Sequence, residues 1–302
     1  MYDVIILGGG AAGLTAALYT RRYGLSALLI EELYLGGQII NTAEIENYPG
    51  YSTPISGMDL MSEFEKQARN YDPVIVYETV TGVFLNEAVK TVKTEDNEYK
   101  SRCVIIATGQ NSRELGVARE RELRGSGVSY CAVCDGNFFR GKTAAVVGGG
   151  DTALTEALFL SRICRKVFII HRRDSFRAAQ AEVNKLKKTD NIEPVMNARV
   201  IELLGAGKVE GVTVCGAGGS LRTLEINALF IAVGAIPKSG LFKDILSLDE
   251  YGYIITDDDM RASIPGVFAA GDVRKKALRQ LVTAASDGAT AAHNAMLFIQ
   301  EE

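Results

Sequence analysis

One local pattern occurs twice in this chain, and it limits the fold more than any other feature. The first copy is the strand "YDVIIL", running into Gly8, Gly9, Gly10, Ala11, Ala12 and Gly13, then a helical stretch through Tyr23, then the strand "ALLIEE" ending near Glu31. The second is "TAAVV", running into Gly148, Gly149, Gly150, Asp151, Thr152 and Ala153, then the helical "LTEALFLSRIC" and the strand "KVFIIHRR". Each reads as a βαβ unit with a glycine-rich first turn. From the first glycine to the end of the second strand, Gly8 to Glu31 and Gly148 to His171, the separation is 23 positions in both copies. A lone glycine turn says little. Two at matched spacing, each between a strand and a helix, predict an α/β protein with two Rossmann-like, three-layer nucleotide-binding domains.

In both copies the glycines let the backbone approach a pyrophosphate, and the helix start offers unpaired N–H groups and a positive dipole. Ala153 takes the place of the last glycine, which the motif allows. The copies differ where the second strand ends. Glu31 is an acid suited to a ribose 2′-hydroxyl, as in an FAD or NAD site. His171, Arg172 and Arg173, with Arg177 one turn on, form a basic cluster suited to a 2′-phosphate, which predicts NADPH. The bland reading of those arginines is a solvated surface.

Three further strands end in small residues: "CVIIATG" through Gly109, "LFIAVG" through Gly234, and "VFAAGD" through Asp272. Ligands of open α/β sheets collect at such carboxyl ends, so Asp272 is a candidate for a flavin polyol, and the helix opening "LRQLVTAASDG" for the ring. These C-terminal elements close the first domain. The expected domains are therefore 1–113 plus 240–302 for FAD and 114–239, inserted, for NADPH. Ser56 before "GMDLMSEFEKQARNY" marks an amphipathic helix, while "KTVKTE" and "VEGVTVC" alternate as short antiparallel strands.

A net charge of −4 over 302 residues gives no basic footprint for nucleic acid. No apolar run reaches the roughly 18 to 20 residues that a membrane span needs. The apolar start reads as strand and turn, not as a signal peptide, so a cytoplasmic protein is expected.

Among five cysteines, Cys103, Cys164 and Cys215 sit in apolar runs and are expected as small buried hydrophobes. Cys131 and Cys134, in "SYCAVCDG", are spaced for chemistry. A structural zinc site would need four ligands, and the chain has no second C-x-x-C and only two histidines, without ligand spacing. An inert buried pair and a redox dithiol remain, and the dithiol is favoured: in C-x-x-C at a helix start the first sulfur can be held as thiolate. Asp135 is a candidate acid–base for thiol exchange, or a plain helix-start acid. With NADPH as hydride source and a flavin between, the three parts form one line of electron transfer.

"GGGAAG", "GGQI", "ENYPG", "IIATG", "GVSYCAVCDG", "VVGGGDTAL", "HRRDSFRA", "AAGDV" and "RQLVTAASDGATAA" together resemble the low-molecular-weight thioredoxin reductases, in that family's order and along essentially the whole chain. The resemblance implies that Gly37, Gln38, Asn47, Asp272, Arg279 and Gln280 hold FAD and that Arg172, Arg173 and Arg177 hold the NADPH 2′-phosphate. It implies that Cys134 lies nearer the flavin, that Cys131 attacks the disulfide of thioredoxin, and that Asp135 is the acid–base. It also implies a homodimer and a rotation of the inserted domain between two states, hinged near 112–116 and 236–241.

Ser126 stands where family members often carry a basic residue in the loop that grips thioredoxin, and Lys238 and Ser239 stand where Asn and Thr are common. Other readings are a reductase serving a peroxiredoxin or glutaredoxin-like partner, a flavin dithiol oxidase passing electrons to oxygen, and a non-enzymatic redox sensor. The chain starts at the flavin strand with no carrier domain, which speaks against the first, and "HRRDSFRA" speaks against the oxidase. His293, in an apolar helix, is expected to be packed or partly exposed and not to catalyse.

Overall fold

The computed structural model describes residues 1–42 and 44–301. The chain divides into two compact units, Met1–Asn111 with Ile236–Glu302, and Ser112–Ala235. It crosses between them through the short strands β7 (Gln110–Ser112) and β16 (Ala235–Pro237), which pair as a ribbon.

The first unit is built on a seven-stranded sheet: β1 (Tyr2–Leu7), β2 (Ala27–Glu31), β3 (Val74–Tyr77), β4 (Val80–Phe84), β5 (Lys90–Thr94), β6 (Glu98–Ile106) and β17 (Val267–Ala269). The order is β3-β2-β1-β6-β5-β4. The nine-residue β6 serves two partners along one edge: antiparallel β5 pairs with its first half, and parallel β17 with Val104–Ile106. Successive residues of β1 enter different cores. Val4 and Ile6 pack with helices α1 (Ala11–Arg22) and α6 (Leu281–Glu301), while Ile5 and Leu7 pack with Val83, Val92, Phe242 and Leu246 on the other face. Burial on both faces explains why the strand reads as an unbroken apolar run. Helix α2 (Gly57–Arg69) begins as expected at Ser56, whose hydroxyl accepts from Asp59 N at 3.0 Å.

The second unit repeats the plan with a five-stranded parallel sheet, β11-β10-β9-β15-β8. Its strands are β8 (Val128–Ser129), β9 (Thr143–Val147), β10 (Lys166–Ile170), β11 (Ile192–Val195) and β15 (Ala228–Ile231). Helices α4 (Asp151–Ser161) and α5 (Gln180–Lys187) cover one face through Ala144, Val146, Val167 and Ile169. An antiparallel meander covers the other: β12 (Arg199–Leu204), β13 (Gly211–Cys215) and β14 (Leu221–Glu225). A four-residue helix, α3 (Ala132–Asp135), packs on α4. Each unit is thus a three-layer nucleotide-binding fold. Cys103 and Cys164 are buried, but Cys215 is only half-buried, because it closes β13 where the meander turns to solvent. No described helix is long and apolar enough to cross a membrane.

Candidate functional site

In the first unit the glycine turn is shaped by its own backbone. Gly8 has φ +102°, and a Cβ there would lie 2.5 Å from Ala107 O. A Cβ on Gly13 would overlap the Gly8 carbonyl oxygen, so α1 can dock on the turn only with glycine at that position. Gly10 differs: its Cβ would meet nothing closer than the Gly37 Cα at 4.0 Å. The nearest protein atom leaves room for a side chain there, and the open space beside Gly10 could hold a pyrophosphate. The helix has no side-chain N-cap, which leaves the amides around Ala11 and Ala12 as donors. Glu31 closes the turn, its Oε2 accepting from Gly9 N at 2.6 Å.

Around the end of β17 the structure brings the remaining expected residues of this unit together. Asp272 Oδ2 accepts from Gln110 Nε2 at 3.3 Å, while its Oδ1 is buried without a partner. Burial raises the proton affinity of this carboxyl; Lys276 and Arg279 oppose the shift and Asp287 adds to it. Arg279 lies 4.1 Å over the Tyr253 ring, and its Nε is also buried without a partner. Asn47 Nδ2 donates to Gln280 Oε1 at 3.1 Å, and Gln38 Nε2 to Asn111 Oδ1 at 2.9 Å. Gly37, at φ +63°, stacks its backbone on Gly10, and Gly109, at φ +70°, faces open space. A buried acceptor and a buried donor that the protein leaves unsatisfied, beside an open phosphate cradle, fit a large polar ligand such as FAD.

The second unit repeats the turn with other chemistry. A Cβ on Gly148 would overlap the Ala232 carbonyl oxygen, so that contact, too, is set by the fold. Gly150, like Gly10, faces open space, and α4 likewise starts without a side-chain cap. The place of Glu31 is taken by His171, whose ring packs directly on Gly149 and stacks on Phe176 with centroids 5.7 Å apart. His171 Nε2 is buried without a partner, and burial, reinforced by the charges of Arg177, Arg173 and Arg172, lowers the affinity of the ring for a second proton. The three arginines are exposed, and among the described residues their guanidinium groups make no ion pair. Asp151 Oδ1 accepts from Ala179 N at 2.7 Å, tying the helix start to the segment that follows the arginines, while Thr152 is exposed. An open cradle beside three unpaired cations fits a dinucleotide with an extra phosphate.

The dithiol lies in this same unit. Cys131 and Cys134 form a disulfide with Cα atoms 5.3 Å apart, and Cys131 Sγ caps α3 by accepting from Cys134 N at 3.2 Å. Asp135 is held by Ser129, which donates its hydroxyl proton to Oδ2 at 2.6 Å. Burial pushes the Asp135 carboxyl above the usual range, against the Ser129 hydrogen bond and the charge of Arg124. The segment before Cys131 is fixed by the buried Glu120, which accepts from Tyr130 OH at 2.7 Å and from the Leu115 and Gly116 amides. Among the described residues no cluster could hold a metal ion. His293 is exposed and pairs with Tyr23 OH at 3.2 Å.

Gln110, Tyr253, Glu120 and Glu156 belong to these surroundings and were not singled out from sequence. Only Glu156 leaves a signal there, an acid inside the apolar stripe Ala153, Ala157, Leu160 of α4.

Comparison with known proteins gives the same picture. The family model for pyridine nucleotide-disulphide oxidoreductases matches residues 2–288. A thioredoxin reductase of Listeria monocytogenes is 46% identical over all of this chain and 95% of its own length. One of Treponema pallidum is 46% identical over 99% and 97%. The crystal structure of thioredoxin reductase from Streptococcus pyogenes superposes with a TM-score of 0.95 at 42% identity, covering 100% of this chain and 99% of that one. The chain belongs to the pyridine nucleotide-disulphide oxidoreductase family, in the group of the thioredoxin reductases.

Proposed function

We propose that this protein passes electrons from NADPH, through FAD and the Cys131–Cys134 pair, to the disulfide of thioredoxin. As a member of its family it is a flavoprotein disulfide reductase that uses FAD and NADPH. The observation that carries the finer reading is the C-x-x-C disulfide with Asp135 beside it, in the same unit as a nucleotide turn that ends in arginines.

The first unit is the FAD domain. The amides of Gly8, Gly10, Ala11, Ala12 and Gly13 take the pyrophosphate, and Glu31 takes the adenosine ribose. Gly37, Gln38, Asn47, Gly109, Asp272, Arg279 and Gln280 hold the rest. The second unit is the NADPH domain. Gly148, Gly150, Asp151, Thr152 and Ala153 form the phosphate turn; His171, Arg172, Arg173 and Arg177 select the 2′-phosphate. When bound, FAD supplies two-electron chemistry that accepts hydride from NADPH and delivers electrons to a disulfide.

The remaining chemistry belongs to the chain. Cys131, at the helix start, is the sulfur that attacks the partner disulfide as thiolate. Cys134 resolves the mixed disulfide, and Asp135, kept protonated to higher pH by burial and oriented by Ser129, supplies and recovers the proton. A homodimer working in the cytoplasm, where NADPH-driven dithiols are kept reduced, completes the proposal.

The test is NADPH oxidation by the purified yellow protein with thioredoxin as acceptor. Cys131→Ser and Cys134→Ser are each expected to lower turnover by about 10³-fold or more, with flavin reduction by NADPH retained. Full thioredoxin reduction by Cys131→Ser overturns the assignment.

A further inference from the structure

Glu156 is a buried acid for which the proposed reaction has no use. It is 8% exposed and sits on the face of α4 that packs against the redox helix. Its Oε1 accepts from Ala132 N at 3.3 Å, the amide directly after Cys131, and its Oε2 is buried with no partner at all. An acid that only capped one amide could be a glutamine at lower cost, because burying an ionised carboxylate without a counter-charge is expensive.

The surroundings give it no cation. The elements packed on α4 carry Asp135 on α3; Glu182, Lys185 and Lys187 on α5; Lys166 on β10; and Glu193 on β11. Of these, Asp135 alone acts on the Glu156 carboxyl, and it acts by repulsion. Burial first, then the Asp135 charge, against the hydrogen bond from Ala132, push Glu156 up to about 7.

We propose that Glu156 is a positioning residue of the dithiol: through the Ala132 amide it fixes the turn bearing Cys131 and Cys134, and its ionisation changes the charge held beside that turn. This rests on the redox role given to the dithiol above. Reduction of the Cys131–Cys134 bond takes two electrons, supplied by NADPH, and two protons, and leaves two thiols. In the return step the Cys131 thiolate forms one S–S bond as the partner's breaks, and the departing partner sulfur takes a proton from Asp135, which the proton lost by Cys131 replaces; Cys134 then displaces the partner's other sulfur, which takes the Cys134 proton as the Cys131–Cys134 bond reforms. Glu156 transfers no proton. Ionised, it places a negative charge on the amide that follows Cys131; protonated, it does not.

The test needs neither thioredoxin nor NADPH, so its outcome is separate from the fate of the reductase assignment. The holoenzyme is reduced with dithiothreitol, freed of it, and alkylated with iodoacetamide from pH 5.5 to 9, and the peptide carrying Cys131 is followed by mass. The wild type is expected to depart from a single thiol titration by a second inflection of about three- to tenfold near neutral pH. Glu156→Gln keeps the acceptor for Ala132 and should lose that inflection. Asp135→Asn keeps Glu156 and should move the inflection to lower pH. Hydrogen exchange at the Ala132 amide should stay protected in Glu156→Gln and open in Glu156→Leu. A Glu156→Gln profile that superimposes on wild type overturns the proposal, as does an inflection that Asp135→Asn leaves in place.

Discussion

The two glycine turns share a backbone and differ in what surrounds it. In both, the first glycine lies against the carbonyl of a neighbouring strand end, Ala107 or Ala232, and the third motif residue, Gly10 or Gly150, faces open space. What differs is helix docking and the strand end. Gly13 brings α1 onto the Gly8 carbonyl, whereas Ala153 tolerates a Cβ at the same step of α4. Glu31 binds the turn by a hydrogen bond to Gly9 N, whereas His171 presses its ring onto Gly149. In the proposed function the phosphate device is common to both units, and nucleotide choice is delegated to one strand end.

If that division is right, the helix-docking residue is structural in the first unit and permissive in the second. Gly13→Ala should be the most damaging single change: the Cβ has only backbone to displace, so a loss of about 3 kcal/mol and a protein purified without flavin are expected. The mirror change Ala153→Gly should cost about 1 kcal/mol and leave flavin content untouched. Flavin absorbance and thermal melting of the two variants settle the matter; equal effects would break the contrast.

The strand ends come next. Replacing Arg172, Arg173 and Arg177 together by alanine removes only exposed, unpaired side chains, so folding should be unaffected. The KM for NADPH should rise about 10²-fold, with NADH little changed, since each charge-assisted hydrogen bond is worth about 1.5–3 kcal/mol and not all three are made at once. A matching loss with NADH would place the arginines away from the 2′-phosphate.

What the sequence displayed was the part of the protein whose constraints are local. A strand, a glycine turn and a helix within 23 positions, or two thiols with an acid beside them, interact with their own neighbours and leave a readable spacing. The contacts that complete the sites span long separations and leave no such pattern: Gln110 reaches Asp272 across 162 positions, and Glu156 reaches Ala132 across 24. Cys215 was misjudged for a related reason. Its apolar run marks a strand, and whether the last residue of that strand is covered depends on where the meander turns.

Each unit also holds one buried acid with an unpartnered oxygen, and these make the finest contrast. Asp272 has the cations Lys276 and Arg279 to oppose its burial; Glu156 has the Ala132 amide but no cation, and the charge of Asp135 adds to the shift. The sign follows from proton binding. Glu156 has an ordinary value of 4.5 when unfolded and about 7 when folded, so between those values the native state holds a proton that the unfolded chain has released. Stability from this group is complete below pH 4.5, falls as pH rises toward 7, and is flat above. The full shift corresponds to about 3 kcal/mol, and relaxation around the carboxylate reduces the expected loss to about 2 kcal/mol. Glu156→Gln cannot ionise and escapes that loss, so its melting temperature relative to wild type should climb by about 4 °C between pH 5 and 7.5. A difference that stays constant over this range would mean that Glu156 is ionised throughout.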